Sequence, residues 1–86
     1  MTMARAMQTV LVSKELAPTR RAGAKVARRH GERLYTSRET KNFWRFRQRP
    51  PSCFTGVFRT EKRADGKIQI VYGTLRKGAA KRRACR

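Results

Sequence analysis

Acidic side chains are nearly missing from this sequence: five Asp and Glu stand against 23 Lys and Arg, which leaves a formal charge of +18. The acids, Glu15, Glu32, Glu39, Glu61 and Asp65, are scattered, and Asp65 is better used in a turn, so no carboxylate pair points to acid-base catalysis. Histidine is scarcer still. His30 stands alone, and the sequence places neither Cys53 nor Cys85 beside it, which leaves thiol chemistry without a base. Two cysteines without a Cys-x-x-Cys pair or a histidine cluster do not make a tetrahedral zinc site. They read as free thiols. A disulfide between Cys53, at a strand entrance, and Cys85, near the end of the chain, requires an oxidising compartment, and nothing in the sequence indicates secretion.

Other absences narrow the class further. No apolar run nears the roughly 20 residues that span a bilayer. No Gly-rich loop followed by Lys-Ser or Lys-Thr offers a nucleotide phosphate site, and no internal repeat points to a solenoid. The expectation is a chain that is not an enzyme, holds no cofactor or metal and does not cross a membrane.

What is present is positive charge. Solubility does not require so many cations unrelieved by acids, and self-repulsion of this size opposes compaction unless a polyanion neutralises it. The chain has 86 residues, room for one small domain, and in so small a domain roughly 40% of the surface stays wet. The fold expected is a small β-rich (α+β) module: a β-hairpin with a basic strand before it, a basic, partly helical N-terminal arm and a disordered basic tail.

The hairpin is the clearest element. β-branched and aromatic residues flank Ala64-Asp65-Gly66 on both sides. With a two-residue Asp65-Gly66 loop, Ile70 faces Glu61 and Tyr72 faces Arg59, which sets charges against apolar residues. With a three-residue loop, Phe58 faces Tyr72, Thr60 faces Ile70 and Lys62 faces Ile68, and this register is the one expected. Before it, Phe43-Trp44-Arg45-Phe46-Arg47-Gln48-Arg49 alternates, with Trp44 and Phe46 on one side and Arg45, Arg47 and Arg49 on the other. Pro50-Pro51 ends that strand.

The remaining chain divides by composition. Residues 1–18 are expected to be a flexible N-terminus, with a short edge strand at Thr9-Val10-Leu11-Val12-Ser13 closed off by Pro18. Residues 19–40 form a basic arm. Its segment 19–34 has Thr19 as a helix cap and Ala22, Val26 and Leu34 on a thin apolar stripe, but Gly23 and Gly31 weaken it. Residues 41–77 are the β module and 78–86 a mobile tail.

The function read from this pattern is non-catalytic binding of nucleic acid, DNA or RNA, on the phosphate backbone. Phosphate contacts are assigned to Arg45, Arg47, Arg49, Arg59, Arg63, Lys67, Arg76 and Lys77, with Lys81, Arg82 and Arg83 in the tail adding affinity. Trp44, Phe46, Phe58 and Tyr72 are assigned to the core, because little else can supply one. Two other readings come from different classes: a structural part of a ribosome-like RNA–protein particle, and an interaction protein whose basic face docks an acidic protein partner.

Residues 43–78 carry Phe-Trp-Arg-Phe-Arg-Gln-Arg-Pro, Phe-Thr-Gly-Val-Phe-Arg-Thr and Gly-Lys-Ile-Gln-Ile-Val-Tyr-Gly-Thr-Leu-Arg-Lys-Gly. In these stretches the chain resembles a module of small uncharacterised phage- and prophage-associated proteins. The resemblance implies a compact β module and a cytoplasmic setting in a bacterial host, or a virion component or inhibitor if phage-derived. An organelle matrix is the alternative, from the basic, acid-poor N-terminal third.

Overall fold

The computed structural model describes residues 5–31 and 36–85. It is a small β-rich α+β fold: one helix packed on a single five-stranded antiparallel sheet. The strands are β1 (Arg5–Ser13), β2 (Thr36–Glu39), β3 (Phe43–Arg47), β4 (Phe54–Arg63) and β5 (Ile68–Leu75), in the spatial order β2-β3-β1-β5-β4.

The first strand is the centre of the sheet, not its edge, and the sheet is not confined to residues 41–77. The physical reason is burial. Val10 and Val12 are fully buried, and each is flanked on both sides by apolar partners: Val10 by Phe46 and Ile70, Val12 by Trp44 and Ile68. The pairing also extends back to Arg5 through a bulge between Met7 and Thr9, so 5–7 are strand residues and not a loose end. Residues 1–4 lie outside the described residues.

One side of the sheet is covered by α1 (Arg20–His30). Thr19 caps it, its hydroxyl accepting from the Ala22 N–H at 3.1 Å, and the last turn carries Arg28, Arg29 and His30, which suit the negative end of the helix dipole. Ala22 and Val26 face the sheet as the stripe predicts, Ala27 is buried beside them though outside that stripe, and Leu34 lies outside the described residues. Gly23 allows close approach: a Cβ there would come within 2.9 Å of Trp44 Cδ1 and 3.3 Å of Phe46 Cε2. Trp44 in turn donates its indole N–H to the Ala17 carbonyl at 2.7 Å, so the loop entering the helix is fastened to β3.

The β4–β5 hairpin forms, but in the other register. Arg59 pairs with Tyr72, Glu61 with Ile70 and Arg63 with Ile68, while Phe58 pairs with Gly73 and Thr60 with Val71. Ala64, Asp65 and Gly66 all have positive φ, and the Lys67 N–H reaches the Ala64 carbonyl at 3.0 Å, a turn centred on Asp65-Gly66. Charges can oppose the apolar set because Ile70 takes its apolar partner from Val10 on the inner neighbour β1. On the outer side, Glu61 is satisfied by the Arg63 Nε at 2.6 Å.

The C-terminal segment is not a loose tail. Two short 3₁₀ turns, Ala79–Lys81 and Arg83–Cys85, return to the sheet, and Cys85 is bonded to Cys53 with Cα atoms 5.6 Å apart. The thiols are therefore not free. With Ala6, Phe54, Ala79 and Leu75 the two cysteines make a second, smaller core. The compositional signal of 78–86, basic and without acids, is outweighed by the bond and by burial of Ala79 and Cys85.

Candidate nucleic-acid interface

Strand alternation sorts the side chains into a helix side and a helix-free side. The helix side takes Val10, Val12, Trp44, Phe46, Ile68 and Ile70. The opposite parity takes Thr9 and Leu11 on β1, Arg45 and Arg47 on β3, Gln69 and Val71 on β5, Thr36 and Arg38 on β2, and Phe58, Thr60 and Lys62 on β4.

Charge segregates with this parity. The acids in strands, Glu39 and Glu61, share the parity of Trp44 and Ile70 and lie on the helix side. Glu39 hydrogen-bonds Lys14, whose ammonium holds its carboxyl below the usual carboxylate range by that bond first and by charge second. Glu61 binds Arg63, and the bond raises the guanidinium's already high pKa. Arg63 also approaches His30 Nδ1 at 3.1 Å. The helix-free parity of the described strands holds Arg38, Arg45, Arg47 and Lys62 and no acid.

Arg38 and Arg45 are direct cross-strand partners, and Arg47 lies two residues along from Arg45, opposite Thr36. Together with Thr36 they line a shallow cup. Like charges set directly opposite each other on a sheet are unfavourable unless something neutralises them, so the cup suits an oxyanion.

The other predicted contacts are dispersed. Arg49 is withdrawn from the surface: it is buried, its Nε donating to the Cys85 carbonyl at 2.9 Å and an NH group to the Met7 carbonyl at 3.0 Å. It fastens the C-terminal segment to β1, because Pro50 follows and β3 has ended at Arg47. Arg59 and Arg63 have the helix-side parity of β4. Arg59 lines a hollow of about 340 Å³ with Arg5 and Tyr72, and the Arg5 guanidinium stacks 4.3 Å from the Tyr72 ring centre. Lys67 is exposed in the hairpin turn. Arg76 donates its Nε to the Phe54 carbonyl at 2.7 Å, and Lys77, Lys81, Arg82 and Arg83 lie on the exposed surface of the ordered C-terminal segment.

Of the predicted set, then, Arg45 and Arg47 are brought together, and Arg38 joins them unforeseen. Its signal was present in Thr36-Ser37-Arg38-Glu39, whose alternation puts Thr36 and Arg38 on one side, but the stretch has too few apolar residues to read as a strand.

One aromatic departs from the expected core and one sits at its margin, Tyr72 packing against the main core. Trp44 and Phe46 are buried under the helix, but Tyr72 is only half-buried and Phe58 is 40% exposed on the helix-free side. Among the described residues no three His, Cys, Asp or Glu side chains come together as a metal site, and no helix is long and apolar enough to cross a membrane. Comparison with protein-family models, curated proteins and solved structures returned no match to this chain.

Proposed function

We propose that this chain binds nucleic acid without catalysis, laying the helix-free side of its sheet against the phosphate backbone. The observation that carries the reading is the segregation of charge: on a chain of formal charge +18, Arg38, Arg45, Arg47 and Lys62 share the side on which the described strands place no acid. Arginine forks match phosphate oxygens in geometry as well as charge. Lys67, Arg76, Lys77, Lys81, Arg82 and Arg83 add peripheral attraction, and Arg59 and Arg63 extend it around the β4 edge. Contacts of this kind position the ligand and do not read its sequence.

A bacterial cytoplasm or a phage particle is the setting that goes with this reading. The Cys53–Cys85 bond then has to persist against a reducing pool or form on release, because disulfides are kept in oxidising surroundings. The test is purification with and without nuclease. Co-purifying nucleic acid, lost on nuclease treatment together with its ultraviolet absorbance, supports the reading. Ribosomal RNA alone in the bound fraction points to a particle component, and one acidic protein retained after nuclease points to protein docking.

A further inference from the structure

The arginine cup does not stand alone. Arg45 also forms one wall of a groove of about 390 Å³ on the helix-free side, lined by Leu11 and Val71 as its apolar floor, Phe58 at the far rim, and Thr9, Thr40 and Pro51 around them. Phosphate binding has no use for such a floor. The two features share one residue and run across the sheet in strand order, Arg38 on β2, Arg45 and Arg47 on β3, Leu11 on β1, Val71 on β5 and Phe58 on β4. With strands about 4.8 Å apart and about 3.3 Å per residue, and with Val71 two and Phe58 four residues along from the Arg45 row on the Arg47 side, Val71 lies about 12 Å and Phe58 about 20 Å from Arg45, a span that a few nucleotides cover.

Phe58 is held where it stands. Its ring meets Phe54 edge-on, with centroids 5.5 Å apart and planes at 60°, and Phe54 is itself buried beside the disulfide. Gly73, its cross-strand partner, leaves the space the ring uses: a Cβ there would lie 3.0 Å from Phe58 Cδ1. A fixed aromatic ring beside an apolar trough, bordered on one flank by arginines, suits a ligand that joins two chemistries. That ligand has anionic links and flat, mostly apolar faces that are free of a partner.

We infer that the groove takes unpaired bases of a single-stranded nucleic acid, one of them stacked on Phe58, while its phosphates lie on Arg38, Arg45 and Arg47. The inference rests on the nucleic-acid reading above and narrows it. A duplex keeps its base faces stacked inside, so it reaches the arginines and leaves the groove empty. Stacking is tolerant of base identity, since each base has a π-face, so the preference is for strandedness and not for sequence.

The experiment uses the full oxidised chain with two labelled probes, a dT 20-mer and a 20-base-pair DNA duplex, and reads affinity by anisotropy. Phe58→Ala is expected to weaken the dT 20-mer about tenfold, within the range known for loss of one stacked base, and to leave the duplex unchanged. Its salt slope should match that of the unaltered chain, because no cation is lost. As a second readout that does not depend on a truncated side chain, Phe58→Trp should bind the dT 20-mer with quenched tryptophan emission and show no quenching with duplex. Equal affinity of the unaltered chain for both probes, with Phe58→Ala silent and Phe58→Trp unquenched, overturns the inference and leaves phosphate binding standing. Loss of affinity for both probes alike in Phe58→Ala, without quenching in Phe58→Trp, overturns it too, since the effect would then be on folding. Binding of neither probe by the unaltered chain removes both readings in favour of an acidic protein partner.

Discussion

Removing the disulfide should destabilise this protein more than any single surface change. The Cys53–Cys85 bond closes a loop with a sequence separation of 32 residues, and that loop contains the whole β4–β5 hairpin. In the chain-entropy account, a cross-link over a loop of this length stabilises by about 4 kcal/mol. For a domain of this size each kcal/mol is worth about 4–8 °C in melting temperature, so the shift expected is about 15–30 °C. Local effects come first: the second core loses its bond, and the segment 79–85 is left with the packing of Ala79 and the hydrogen bond from Arg49 to the carbonyl of residue 85 as its ties to the sheet. The variant is Cys53→Ala/Cys85→Ala, melted by circular dichroism beside the parent protein with and without a phosphine reductant. Only two cysteines exist, so the result cannot be blurred by reshuffling. Amide exchange in 79–85 should quicken before exchange in β1 does. Two alkylatable thiols in the untreated protein, or a melting temperature within a few degrees across all three samples, would refute the reasoning.

Further perturbations probe the fold where its geometry is tightest. Gly23→Val drives a Cβ into Trp44, 2.9 Å from its Cδ1, and should cost about 1–3 kcal/mol in denaturant unfolding. Gly66→Val asks a β-branched residue to hold a φ of +84° in the hairpin turn and should cost about 1–2 kcal/mol; an unchanged melting temperature would mean the turn tolerates the strain. Arg49→Gln removes a donor to the Cys85 and Met7 carbonyls and should destabilise by about 1–3 kcal/mol, yet leave the salt dependence of nucleic-acid binding as it was. A flattened salt slope in that variant would restore Arg49 to the binding surface.

How much of this was legible in the residues differs by element. The hairpin, the Thr19 cap and the sidedness of Arg45 and Arg47 follow from period and turn chemistry, both local properties. The register of the hairpin does not. Matching apolar to apolar across β4 and β5 assumes that both strands need each other's side chains, whereas Ile70 is satisfied by Val10, sixty residues away in sequence. The same non-local pairing hides β1, whose central place depends on β3 and β5 arriving on either side. Arg49 continues the alternation of Arg45 and Arg47 on paper, but the strand ends at Arg47 and the chain bends inward. The charge of the C-terminal segment says disorder, and its two anchors, Ala79 and Cys85, say nothing until Cys53 is beside them. Phe58, assigned to the core with the other aromatics, faces solvent because α1 covers only the other side of the sheet.

The central claim, that the helix-free side of the sheet neutralises phosphates, is tested most directly by a salt titration of affinity for the dT 20-mer with Arg38→Gln/Arg45→Gln/Arg47→Gln beside the parent chain. These side chains form no core and line the cup, so the fold should survive and three phosphate contacts should go. The account predicts weaker binding and a log-log slope flatter by about two units for a single strand, at roughly 0.7 per contact. A triple variant that binds with the parent's affinity and the parent's slope would contradict it.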